Sequence, residues 1–130
     1  MITERAHTVL IVEDETLLRV LLAEFLAGCG FDIIDTATAD DAVEILAKPN
    51  IVIDIIFTDV RMPGHLDGFG LARWVRENRP DLPVLIASGD IGIANLTHQL
   101  CASEKFLTKP YDLDSVEDHI RQSIAWRKSA

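Results

Sequence analysis

The chain has 130 residues, 48% hydrophobic and 25% charged, which suits one self-sufficient core and excludes a disordered or fibrous protein. Twelve Lys and Arg against 21 Asp and Glu give a formal net charge of −9, which argues against direct contact with nucleic-acid backbones or anionic membranes. Residues 1–5 carry no signal-peptide core, and charge interrupts the longest apolar stretches within about ten residues, so a cytoplasmic protein without a membrane span is expected.

Thr8–Val12 reads as a buried strand, β1. Leu17, Leu18, Leu21, Leu22, Phe25 and Leu26 then form a helical stripe, α1, up to Gly28. Residues 31–34 are expected as β2, and Thr38 with Asp41 resembles a capping box opening α2, which runs through Leu46. Residues 51–58 are almost wholly apolar and β-branched or aromatic, as a central parallel strand β3 requires, and they end in Asp59. After a loop containing Pro63 and Gly64, α3 is expected over Gly68–Asn78, stopped by Arg79-Pro80. Residues 82–87 read as β4, leading into Ser88-Gly89, and residues 91–100 as a helix α4 weakened by Gly92. Residues 105–108 make a short β5 before Lys109-Pro110, and Asp112 caps a final helix α5 with Leu113, Val116, Ile120 and Ile124 on one stripe. Cys29 and Cys101 have no metal-like spacing and read as reduced structural thiols.

Strict alternation of five strands and five helices points to an α/β fold, a doubly wound parallel sheet covered on both faces. Such sheets bind ligands beyond the carboxyl ends of their strands. Those ends carry Glu13-Asp14 after β1, Asp59 after β3, Ser88 after β4 and Lys109 after β5. Gathered carboxylates repel unless a cation sits among them, and hard oxygen ligands suit Mg²⁺. A carboxylate beside a metal and a lysine can act as a nucleophile toward a phosphoryl group. Taken singly, each Asp is an ordinary strand-end cap, Lys109 a solvated lysine and Ser88-Gly89 a turn. Their conjunction on successive strand ends points to chemistry.

Val12-Glu13-Asp14, Thr58-Asp59-Val60-Arg61-Met62-Pro63-Gly64, Ala87-Ser88-Gly89 and Phe106-Leu107-Thr108-Lys109-Pro110 together resemble the signature positions of response-regulator receiver domains of the single-domain, CheY-like kind. The resemblance covers residues 7–125 and implies a flavodoxin-like fold with strand order 2-1-3-4-5. It implies that Asp59 is the phosphoacceptor and Asp14 a direct Mg²⁺ ligand, with Asp59 and the backbone carbonyl of Arg61 completing the protein's share and Glu13 reaching the metal through water. Mn²⁺ substitutes for Mg²⁺ on the same reading. Lys109 corresponds to the lysine that pairs with a phosphoryl oxygen, Ser88 to the hydroxyl that bonds the phosphoryl group, Phe106 to the switch aromatic, and the bond before Pro110 to a cis peptide. The partners implied are a histidine kinase or histidine phosphotransfer protein upstream and an effector protein downstream, met by an α4–β5–α5 face that also admits a homodimer.

Two departures stand out. Phe106 offers a partner no hydroxyl, and the loop through His65-Leu66-Asp67-Gly68 is one residue longer than the commonest version. Arg61 and Asp90, each two residues beyond a site residue, are expected to face each other over the phosphoryl group. Residues 1–130 read as one receiver domain with no output domain, either a stand-alone regulator or phosphate shuttle, or a receiver from a longer protein. Such a module catalyses only its own phosphorylation and dephosphorylation. The competing enzyme class, a haloacid-dehalogenase-like phosphohydrolase, usually carries a nucleophile-x-acid pair on its first strand, whereas Asp59 follows the third. A degenerate receiver would lack the Asp or the Lys, and both are here.

Overall fold

The computed structural model of the chain describes residues 6–61, 64–89 and 104–129. The expected helix α4, together with Asp90 and Cys101, lies outside them, as do Met62 and Pro63. The elements are β1 Thr8–Val12, α1 Thr16–Gly28, β2 Asp32–Thr36, α2 Ala39–Leu46, β3 Ile55–Asp59, α3 Gly68–Asn78, β4 Val84–Ser88, β5 Glu104–Thr108 and α5 Leu113–Ser129. All strand pairs are parallel, and the sheet runs β2-β1-β3-β4-β5, the flavodoxin-like order.

Side-chain alternation divides the interior into two half-cores. Leu10, Val12, Ile56, Val84 and Ile86 pack under α2 and α3 with Ala42, Leu46, Leu71 and Val75. Val9, Ile11, Ile55, Phe57, Leu85 and Leu107 pack under α1 and α5 with Leu22, Leu26, Val116, Ile120 and Ile124. The strands are therefore apolar along their whole length because both of their faces are covered. At about 25 cal/mol per Å² of apolar area, this double burial is the main favourable term of folding.

Local signals fix three of the described helix starts, those of α2, α3 and α5. Thr38 accepts a bond from the Asp41 N–H at 3.1 Å, Asp67 caps α3 through the Gly70 N–H at 2.8 Å, and Asp112 caps α5 through the Ser115 N–H at 2.7 Å. The bounds of β2, β4 and β5 move by one or two residues, and two expectations shift further. The apolar run from residue 51 becomes strand only at Ile55, because its partner β1 begins at Thr8 and pairs Val9 with Ile55. The α1 stripe also splits, since at about 100° per residue its six members span more than one face. Leu22 and Leu26 are buried, whereas Leu17 is 78% and Leu21 50% exposed, with Val20 beside them at 43%.

At the amino edge of the sheet, Arg127 of α5 reaches the Asp54 carboxylate at 3.5 Å and Asp81 at 3.1 Å, while Asp54 accepts the Thr8 N–H at 2.7 Å. This cluster ties β1, β3, the entry to β4 and the end of α5 together. No described helix is long and apolar enough to cross a membrane.

Candidate functional site

The parallel register sets Val12 of β1 beside Thr58 of β3, so the residues that follow each strand emerge side by side. Glu13 stays in line with β1 because its N–H donates to the Thr36 carbonyl at 3.0 Å. Glu13 is buried and Asp14 exposed, and one carboxylate oxygen from each of Glu13, Asp14 and Asp59 lies within 4.8 Å of the others. Among the described residues no other group of His, Cys, Asp or Glu gathers in this way.

Asp59 is held from two directions. Its Oδ1 accepts the Val60 N–H at 2.9 Å, and its Oδ2 lies 3.1 Å from the Lys109 ammonium. Strand β4 carries Lys109 into place: Ser88 pairs with Thr108, and the Lys109 N–H donates to the Ser88 carbonyl at 2.9 Å. The Lys109–Pro110 peptide is cis. Ser88 is buried at the same edge, while Phe106, two residues inside β5, is half-buried opposite Ile86 and packs toward the α2–α3 half-core. Arg61 is exposed at the start of the β3–α3 loop.

Gly68 explains how α3 can begin against this edge. A Cβ there would collide with the Asp59 carbonyl and come within 2.9 Å of the Val60 Cα, and its own N–H bonds the Val60 carbonyl at 2.7 Å. Any larger residue would push the helix off the end of β3.

Electrostatics mark the pocket as short of positive charge. Burial pushes the Glu13 carboxyl up to about 7; the Asp59 charge and a bond with Asp14 add to the rise, and the Glu15 N–H and Lys109 oppose it. Tyr111 is pushed up to about 12, first by burial and then by Glu13, Asp59 and Glu15. Its ring stands edge-on to Phe57, with centroids 5.8 Å apart. Tyr111 was not singled out in the sequence, although its place directly after Lys109-Pro110 is a signal that could have found it. Three hard carboxylate donors beside one ammonium make an arrangement that a small divalent cation fits.

Residues 9–121 match the response regulator receiver domain family. The chain is 31% identical over 117 residues to the DNA-binding transcriptional regulator NtrC of Escherichia coli (strain K12), covering 88% of this chain and 24% of that protein. It is 32% identical over 119 residues to the sensor kinase CckA of Brucella abortus (strain 2308), covering 90% of this chain and 12% of that one. The chain thus spans a quarter or less of the length of these relatives. A solved response regulator receiver protein from Sinorhizobium medicae WSM419 superposes with a TM-score of 0.84 at 27% identity, covering 94% of this chain and 97% of that one. With the sheet order and the acidic strand-end pocket already described, these matches leave one conclusion: the chain belongs to the response-regulator receiver domains, the signalling modules of two-component systems.

Proposed function

We propose that Asp59 accepts a phosphoryl group from a phosphohistidine, and that residues 1–130 work as one phosphorylation-dependent switch. The observation that carries this reading is the placing of the Asp59 carboxylate between the Lys109 ammonium at 3.1 Å and the acidic pair Glu13 and Asp14. Asp14, Asp59 and the Arg61 carbonyl would hold Mg²⁺, with Glu13 acting through water. When bound, the ion supplies positive charge to the non-bridging oxygens of the transferring group.

An Asp59 oxygen attacks phosphorus as the P–N bond breaks, and the donor imidazole keeps that electron pair. Lys109 exchanges its carboxylate contact for a phosphoryl oxygen. The Val60 N–H keeps the Asp59 side chain oriented throughout. Water later attacks phosphorus, the P–O bond to Asp59 breaks, and inorganic phosphate leaves with the carboxylate restored. The chain thus promotes only its own modification and its reversal. A donor protein must bring its histidine to this mouth, and the exposed Leu17, Val20 and Leu21 lie on α1 just beyond Asp14, an apolar surface suited to such a docking.

The phosphoryl group adds charge and acceptor oxygens beside Ser88, which draws the hydroxyl inward and vacates space for the Phe106 ring. That movement alters the α4–β5–α5 face, through which an effector protein, or a second copy of the chain, is recognised. The test is intact-mass measurement after treatment with acetyl phosphate and Mg²⁺. One phosphoryl group on the native chain and none on Asp59→Asn is expected. Equal modification of both would overturn the assignment.

A further inference from the structure

Between the Asp59 end of β3 and the start of α3 the chain makes a loop whose far side is held by a residue from another element. Asp40, in the first turn of α2, accepts the His65 N–H through Oδ2 at 3.0 Å, a bond spanning 25 residues of sequence. The same oxygen lies against Gly64, which has a φ of +108°, so a Cβ there would collide with the Asp40 carboxylate. Gly64 thus serves the loop twice, by adopting the left-handed backbone and by leaving room for the carboxylate.

The near side of the loop is fixed by Val60. Its N–H reaches the Ala87 carbonyl at 3.2 Å, and its carbonyl accepts the Gly68 N–H at 2.7 Å. Arg61 therefore stands between a fixed residue and the Asp40 tie. A bond across the middle of the loop narrows the conformations open to it. The α2 terminus suits this task because its positive dipole end favours a carboxylate in the first turn. Packing of Ala39, Ala42 and Leu46 into the half-core shared with α3 keeps that terminus in place.

We infer that Asp40 is a positioning residue that latches the β3–α3 loop through the His65 backbone N–H and so sets the place of the Arg61 carbonyl at the Mg²⁺ site. The inference rests on the phosphoacceptor reading above. The latch is a hydrogen bond, so an uncharged acceptor serves as well as a carboxylate.

The test compares Asp40→Ala, Asp40→Asn and His65→Ala with the native chain by Mg²⁺ calorimetry, acetyl phosphate phosphorylation and amide exchange at residue 65. Asp40→Ala is expected to weaken Mg²⁺ binding measurably, by at most about five-fold, the ceiling set by one hydrogen bond worth about 1 kcal/mol. It should slow phosphorylation at low Mg²⁺, recover at saturating Mg²⁺, and speed exchange of the residue 65 amide. Asp40→Asn keeps the acceptor and His65→Ala keeps the donor, so both should behave like the native chain. Gly64→Ala, which strains the loop and crowds the carboxylate, opens the latch by a second route and should weaken Mg²⁺ binding even if Asp40→Ala folds poorly. If Asp40→Asn weakens binding as much as Asp40→Ala, the effect is one of charge and the latch is overturned. Unchanged affinity in Asp40→Ala and Gly64→Ala overturns it equally. A native chain that binds no Mg²⁺ removes the phosphoacceptor reading itself, and this inference with it.

Discussion

The two ends of β3 carry acidic side chains in opposite circumstances. At its entry, buried Asp54 has a backbone N–H at 2.7 Å and the Arg127 guanidinium at 3.5 Å, and the other acid nearby, Asp81, is exposed to solvent. At its exit, Asp59 shares a pocket with Glu13 and Asp14 and meets the Lys109 ammonium at 3.1 Å. The entry matches each buried charge with a partner, whereas at the exit burial, with the Asp59 charge and the Asp14 bond adding to it, pushes Glu13 up to about 7. Burial of an acid is thus a poor guide to function. The imbalance between charge and partners distinguishes a site from a structural clamp.

Exchanging single residues at the two ends tests this contrast. The largest effect is expected at the exit, where Asp59→Asn should abolish phosphorylation while leaving the fold intact, read by intact mass and circular dichroism. Asp14→Ala should remove measurable Mg²⁺ binding and, with it, phosphorylation. Asp14 is exposed, so this costs little stability. Unchanged Mg²⁺ affinity by calorimetry would sink the metal assignment.

At the entry the pattern should reverse. Asp54→Ala takes the side-chain acceptor from the Thr8 N–H and one of two carboxylate partners from Arg127, and a loss of about 2 kcal/mol in denaturant unfolding is expected. Its folded fraction should still take a phosphoryl group at the native rate. Loss of phosphorylation in a folded Asp54→Ala chain would break the contrast between the two ends.

The exit was the more legible end in the sequence, since its residues come in short runs directly after apolar strands, and parallel pairing must gather strand ends along one edge. The clamp was illegible because Asp54 and Arg127 are 73 residues apart and nothing local marks them as partners. Local signals gave α3 its bounds, Gly68 to Asn78, because Asp67 caps one end and Arg79-Pro80 stops the other. Strand edges were blurred for the reason seen at β3: a strand begins where a neighbour offers a ladder, and apolarity alone does not say where that is. Glu104 likewise belongs to β5, and its buried carboxylate is bonded by Arg76 of α3 at 2.6 Å. Leu17 and Leu21 belong to the same helical stripe as the buried Leu22 and Leu26 and are nonetheless exposed, because a helical pattern records apolarity and not what lies opposite it. Asp40 escaped attention as an ordinary first-turn acid, its bond to residue 65 being a tertiary fact.

The smallest expected effect concerns Glu13, and it asks whether a carboxylate buried beside Asp59 and Asp14 is left without enough positive charge. Burial first, then the Asp59 charge and the Asp14 bond, pushes the folded-state Glu13 carboxyl up to about 7 from an ordinary value of 4.5. Between those values the folded chain binds more protons than the unfolded one, so this group favours folding at acid pH, and its contribution declines as pH rises from about 4.5 through about 7. Glu13→Gln keeps the shape and the acceptor of the Glu15 N–H but removes the charge. In metal-free buffer the variant should therefore gain on the native chain as pH rises from 5 to 8, by about 1 to 2 kcal/mol, less than the whole shift implies because the pocket opens to solvent at Asp14. Urea unfolding of both chains at the two pH values measures this gain directly. A stability difference that stays level across the window, or that moves toward the native chain, would mean that Glu13 is already matched by its partners and that the exit of β3 is as balanced as its entry.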